Sequence, residues 1–313
     1  MFEGFEEFTV TTGHGTVFGR RGGSGAPVLL LHGIPQTHVM WRLVAPELAR
    51  EFSVVVTDLR GYGSSDAPGG DPEHAEYAMR ELARDQVEVM DQLGYRTFCV
   101  AGHDRGARCA YRAALDHPER IDALAVLDII PIADAFARAN RDFAIGYWVW
   151  SFLAAPAPLP ERLIAGDPDA FVDHLLDDWA DRPEVFTEDV RAAYRAQFHD
   201  PSRVHAICEQ YRAAVTHDVV HDEADRLGGF SCPVLALWSD SGAVARWYDP
   251  LEVWRAWARD VSGAAVHAGH FLAEEAPEET TRLIVGFLRS IPQRADAPST
   301  GAQRAPGWTR PLS

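Results

Sequence analysis

The chain is short of positive charge, of long apolar runs and of clustered cysteine, and each shortage removes a class of function. Its 29 Lys and Arg stand against 46 Asp and Glu, leaving a formal charge of −17. Such a field repels polyanions, so neither nucleic acid nor an anionic membrane is an expected partner. No apolar stretch approaches the roughly 18 residues that a membrane span requires. The first ten residues carry Glu3, Glu6 and Glu7 where a secretory leader would have a basic segment and an apolar core. The cytoplasm is therefore the expected compartment. Cys99, Cys109, Cys208 and Cys232 are scattered without CxxC spacing, which reads as reduced core thiols, with neither disulfide nor zinc. No cofactor or metal is expected.

What is present is a regular alternation of apolar runs and helical periodicity. The 313 residues suffice for one large core or a domain with an insertion. Continuous apolar runs at 27–31, 52–58, 98–101, 123–131 and 233–238 read as strands buried on both faces, with a short further strand at 264–266. Residues 79–93 have helical periodicity and stop at Gly94. Strands and helices so spaced imply right-handed crossovers and a mostly parallel sheet, an α/β fold. Residues 5–20 suggest an edge hairpin, 40–50 a helix, and a single helix carries Trp247, Trp254 and Trp257 before a closing helix to about Ser290. From 132 to 226 no strand is convincing; helical patterns at 136–153, 169–179, 189–198 and 205–214 are separated by Pro-rich turns. This predicts a helical cap at 132–226, inserted into a core built from 1–131 and 227–291 and lying over the sheet's carboxyl edge, where such sheets bind ligands. Residues 292–313 are polar and rich in Pro, Gly, Ala and Arg, and read as a disordered tail.

The chemistry gathers at Gly102-His103-Asp104-Arg105-Gly106, where a strand meets a helix through a tight turn. Small residues on either side let the backbone turn sharply and lift the middle residue at the strand's carboxyl end. That residue is a carboxylate where serine hydrolases carry serine. A carboxylate needs no partner base to attack carbon at neutral pH, and the attack leaves an ester. The alternative is that Asp104 only caps the helix. His32-Gly33-Ile34-Pro35 follows the first buried strand, where the N–H of Ile34, with that of Arg105, can face a developing oxyanion. Asp104, Asp128 and His270 each follow a strand end, in the order nucleophile, acid, base. His270, oriented by Asp128, would deprotonate the water that attacks the ester carbonyl. Asp240 is the competing acid. The strand before it usually runs into a Gly-x-x-Asp turn in related hydrolases, but Gly242 stands at the aspartate's place, so Asp128 is preferred. Arg105 and Arg108 are i and i+3 on the following helix, one positive face able to hold an anionic substrate.

On His32-Gly33-Ile34-Pro35-Gln36-Thr37-His38, Gly102-His103-Asp104-Arg105-Gly106-Ala107-Arg108, Val126-Leu127-Asp128-Ile129, Trp150-Ser151-Phe152-Leu153, Cys208-Glu209-Gln210-Tyr211-Arg212 and Gly269-His270-Phe271, the chain resembles the fluoroacetate and haloacetate dehalogenases of the α/β-hydrolase fold. The resemblance runs from roughly residue 9 to 291. It implies hydrolysis of the carbon–halide bond of a small anionic 2-haloacid, no cofactor, and a homodimer. It gives Asp104, Asp128 and His270 the roles argued above and assigns the substrate carboxylate to Arg105 and Arg108. It also implies a halide pocket made of a histidine, the adjacent tryptophan and a tyrosine. Trp150 and Tyr211 match, but Val149 occupies the histidine's position. Losing one donor to a developing anion costs roughly 2–4 kcal/mol, so weak defluorination is expected, with chloro-, bromo- or bulkier 2-haloacids as better substrates. Trp179 is either a further pocket wall or part of the core.

Two rival readings stand beside this one. An epoxide hydrolase would need two cap tyrosines; Tyr211 is one candidate, while Tyr147 and Tyr194 are poor partners for it, and the arginine pair favours an acid substrate. A ligand-sensing protein without turnover would have lost a catalytic residue, and none is lost here.

Overall fold

A computed structural model describes residues 1–292. The strands are β1 (Glu6–Thr12), β2 (Gly15–Gly23), β3 (Ala26–Leu31), β4 (Phe52–Thr57), β5 (Phe98–His103), β6 (Ile121–Leu127), β7 (Val234–Ser239) and β8 (Val261–Val266). They form one sheet in the order β1-β2-β4-β3-β5-β6-β7-β8. The β1–β2 and β2–β4 pairs are antiparallel, and every pair from β4 to β8 is parallel. The continuous apolar runs follow from this topology. In β3, Leu29 and Leu31 pack into the cluster on one face while Val28 and Leu30 pack into the cluster on the other, so no position along the strand tolerates a polar side chain.

Helices cover both faces. The two that matter most for the site are α1 (Met79–Gln92) and α2 (Arg105–Asp116), which is separated from β5 by Asp104 alone. Between β6 and β7 the described chain is helical throughout its regular segments: Ile132–Ala137, Arg141–Gly146, Trp148–Leu153, Leu159–Ile164, Pro168–Trp179, Glu188–Phe198, Pro201–Ala213 and Val219–Asp225, with a π-helical turn at Ala214–Asp218.

Several element boundaries differ from expectation, each for a local reason. The helix expected at 136–153 is three short ones: the Asn140 side chain accepts the N–H groups of Asp142 and Phe143 and starts the second, and Tyr147, at φ −103° and ψ 36°, leaves the helical backbone before the third. The tryptophan helix is likewise two, Ala243–Trp247 and Pro250–Arg255, since Asp249 caps the second and Pro250 opens it, leaving Trp257 beyond its end. The segment at 40–50 holds only a 3₁₀ turn, His38–Trp41, and one helical turn, Ala45–Leu48. The hairpin expected at 5–20 extends to Gly23, and only its first strand is an edge, because β2 also pairs with β4. The final strand begins at Val261, three residues earlier than the apolar signal. The expected tail, 292–313, lies outside the described residues except for Pro292.

Candidate active site

The turn between β5 and α2 leaves Asp104 with φ +46° and ψ −115°. Gly106 makes the turn possible: a Cβ there would lie 2.4 Å from the His32 carbonyl oxygen, so the helix can start this close to β3 only on a bare backbone. Although Asp104 precedes the first residue of α2, its side chain makes no capping bond. The carboxylate turns away, and its Oδ1 accepts the N–H of Ile34 at 3.0 Å. Gly33 lets it approach, since a Cβ at that position would sit 2.5 Å from the Asp104 Cβ.

His32 fixes the facing turn. Its Nε2 accepts the Leu59 N–H at 3.0 Å and its Nδ1 lies 3.0 Å from the Gly33 carbonyl, so the ring is a neutral donor and acceptor; burial holds its pKa below the usual value. The Ile34 N–H therefore donates to the Asp104 carboxylate itself. Were that oxygen to become part of an ester, the same N–H would face the oxyanion formed on water attack.

Asp128 follows β6 at φ +53°, a second carboxylate held in a left-handed backbone. Its Oδ1 accepts the Ser239 N–H at 3.0 Å and its Oδ2 is 2.7 Å from His270 Nδ1. This fixes the Nδ1–H tautomer and leaves Nε2 to the cavity. Asp240 is placed differently: its Oδ2 pairs with His267 at 3.0 Å, on the surface. The Gly242 position lies close to Asp128, with an added Cβ 3.7 Å from Asp128 Oδ2. One acid can serve this histidine from either turn, and here the β6 turn supplies it.

The electrostatics favour an ionised nucleophile beside a basic histidine. Burial pushes the Asp104 carboxyl up, but His270, Arg108, His103 and the Ile34 N–H outweigh it and hold the pKa below the ordinary value. For His270 burial pulls down, while the Asp128 hydrogen bond and the charges of Asp128 and Asp104 raise the pKa above its usual value. His103, its ring tilted against that of His270 with centroids 4.4 Å apart, is pushed by burial down to about 3 and stays neutral.

These groups open into a cavity of about 290 Å³ whose wall includes Asp104, Arg108, Asp128, Val149, Trp150, Trp179, Tyr211 and His270. The structure thus brings together eight of the residues singled out from the sequence. Trp179 also anchors the His270 backbone, its carbonyl accepting the His270 N–H at 2.8 Å. The two arginines separate. Arg108 is in the cavity wall, donating to the Ile130 carbonyl at 2.9 Å, with its guanidinium 4.5 Å above Trp150. Arg105 is not among the lining residues; it lies over Tyr211 at 4.5 Å and donates to the Gln210 carbonyl at 2.9 Å. Arg105 Nε and Nη1 and Arg108 Nε are buried without a hydrogen-bond partner among the described residues. Such donors are costly to leave unmet, and an anion beside them would satisfy them.

Sequence reasoning set Tyr147 aside as a partner for Tyr211 and did not single out several other wall residues for the site. Tyr147 and Trp247 line the cavity, as do Asp178 and Arg246 from helices and Asp181 and Ser241 outside them. Tyr147 is three positions before Trp150 and stacks on it at 5.7 Å with 3° between the planes. That i, i+3 spacing was the available signal. Tyr194 is elsewhere, buried and 2.9 Å from Glu274 Oε1. No group of His, Cys, Asp and Glu able to hold a metal occurs among the described residues, and no helix there is long and apolar enough to cross a membrane.

Comparison with known proteins identifies the fold and the family. Residues 26–277 match the family model described as the alpha/beta hydrolase fold. The chain is 43% identical to fluoroacetate dehalogenase of Burkholderia sp. over 92% of its own length and 95% of the relative. It is 32% identical to the soluble epoxide hydrolase of Corynebacterium sp. strain C12, over 82% of this chain and 87% of that one. Among solved structures, the epoxide hydrolase CorEH superimposes with a TM-score of 0.84 at 28% identity, covering 91% of this chain and 99% of its own.

Proposed function

This chain belongs to the haloacetate dehalogenase-like family of α/β hydrolases, and we propose that it hydrolyses 2-haloacids to 2-hydroxyacids and halide. The observation that carries this reading is the pairing, in one cavity, of an ionised carboxylate at the nucleophile's place with the Arg108 guanidinium. A carboxylate nucleophile alone would suit several electrophiles. A cation beside it selects an acid, because it offsets the repulsion between Asp104 and an anionic substrate.

In the proposed sequence Arg108 takes the substrate carboxylate, with Arg105 contributing its unmet donors from behind Tyr211. Asp104 Oδ attacks the carbon bearing the halogen; the C–O bond forms as the carbon–halogen bond breaks, and the halide leaves towards the Trp150 indole N–H and the Tyr211 hydroxyl. His270 Nε2 then removes a proton from water, which adds to the ester carbonyl while the Ile34 N–H, with that of Arg105, stabilises the oxyanion. Collapse releases the hydroxyacid and restores Asp104. The reading carries the domain division at 132–226 for the cap and 1–131 with 227–291 for the core, the cytoplasm as the compartment expected from the amino-terminal sequence, and, from the resemblance, a homodimer.

Val149 is buried in the cavity wall, and an apolar side chain there offers a leaving fluoride nothing. Fluoride depends on hydrogen-bond donors more than chloride or bromide does, and one missing donor is worth about 10²–10³ in rate. Ion chromatography of halide released from fluoroacetate, chloroacetate and bromoacetate is therefore expected to show fast chloride and bromide and slow fluoride, with Val149→His narrowing the gap. Equal rates for fluoride and chloride would contradict the account of the pocket, and no halide at all would contradict the reading.

A further inference from the structure

Two phenols share the nucleophile's cavity. Tyr147 and Tyr211 both line it, and they flank the same indole, Tyr147 stacked on Trp150 at 5.7 Å and Tyr211 edge-on to it at 6.4 Å. Neither hydroxyl has a hydrogen-bond partner among the described residues, so both are free to donate into the cavity. Asp104 and Arg108 are among the charges felt by each. Burial raises both phenols well above their ordinary range, which keeps the proton on oxygen.

A departing halide needs hydrogen bonds but no proton. A departing alkoxide needs the proton itself, and a phenol that has kept its own can deliver it. The same cavity has an apolar Val149 where a further donor would help fluoride. Its wall is thus better furnished for an oxygen leaving group than for the most demanding halide. Resting on the nucleophile and the carboxylate site proposed above, we infer that this cavity also opens epoxides that carry a carboxylate on the ring, the 2,3-epoxy acids.

The step balances without a co-reactant. Asp104 Oδ forms a bond to the ring carbon bearing the carboxylate, which Arg108 holds, as the bond from that carbon to the ring oxygen breaks. That oxygen stays on the neighbouring carbon and takes the proton of Tyr147 or Tyr211. Water, deprotonated by His270, hydrolyses the ester, and its proton returns to the phenolate. The net change is epoxy acid plus water to 2,3-dihydroxy acid.

The test incubates purified enzyme with oxirane-2-carboxylate, chloroacetate and styrene oxide in parallel, with Asp104→Asn as the blank. Dihydroxy acid is expected only with active enzyme, and styrene oxide, lacking the carboxylate, is expected to react at least ~10-fold more slowly. In Tyr147→Phe the ratio of dihydroxy acid to chloride is expected to fall at least ~10-fold, the low end of what a general acid supplies; chloride release in the same variant reports an intact site. Chloride without dihydroxy acid overturns the inference and leaves the dehalogenase reading standing. An unchanged ratio in Tyr147→Phe together with an unchanged rate of dihydroxy acid formation in Tyr211→Phe overturns the role of the phenols, and a preference for styrene oxide overturns that of the carboxylate. Neither product from any substrate removes the reading on which the inference rests.

Discussion

Asp104 and His270 are neighbours whose pKa values are driven apart, the carboxyl down and the imidazole up. The proposed chemistry uses the two in different steps, and this separates their pH dependences. Ester formation requires ionised Asp104, lost only as pH falls below the ordinary carboxyl value of 3.8. Ester hydrolysis requires neutral His270, and because its pKa lies above 6.5 the base form is already lost as pH falls through a midpoint above that value. Steady-state turnover of chloroacetate should therefore decline on acidification through a midpoint above 6.5, while the first-turnover burst of chloride persists to much lower pH. Rapid-quench halide measurements at pH 5 and 8 check this; a burst that titrates together with the steady state would show that the histidine acts before the ester forms.

At the scale of elements, the site depends on how closely α2 begins against β3. Gly106→Ala would drive a methyl group to 2.4 Å from the His32 carbonyl, which must displace either the helix start or the turn carrying Ile34. A loss of about 3 kcal/mol in stability is expected, of the size typical for strain in a packed core, together with loss of activity; a urea melt and the halide assay measure both, and a variant of native stability would refute the packing argument. The same scale shows what the sequence could convey. Buried parallel strands were legible because burial on both faces leaves a continuous apolar run, and the turns after β5, β6 and β8 were legible because glycine or aspartate marks a left-handed or crowded backbone. The short helices were not, because Asn140 and Asp249 interrupt patterns whose periodicity continues across the break. Arg105 and Arg108 share a helix face, as their spacing required, yet only Arg108 reaches the cavity, since the neighbours that decide this, Tyr211 and Gln210, are more than 100 residues away in sequence. Tyr147 was undervalued for the same reason: its place beside Asp104 is fixed by how the helices after β6 fold over the sheet.

Over the whole molecule, a charge of −17 opposes the approach of an anion, while the positive groups that would bind it are buried near the nucleophile. Long-range repulsion is screened at a Debye length of ~8 Å near physiological salt but reaches ~30 Å at 0.01 M. For chloroacetate kcat/KM should therefore rise, by about twofold or more, as ionic strength increases between those conditions. A fall would mean that the local guanidinium field dominates encounter.

The claim on which all else rests is that Asp104 becomes an ester. His270→Ala removes the base for the second step and leaves the first intact, so bromoacetate should convert the variant to a stable adduct heavier by one carboxymethyl group, located by peptide mass spectrometry on Asp104 and absent from the Asp104→Asn, His270→Ala double variant. An unmodified Asp104 in a variant that has released bromide would contradict the account.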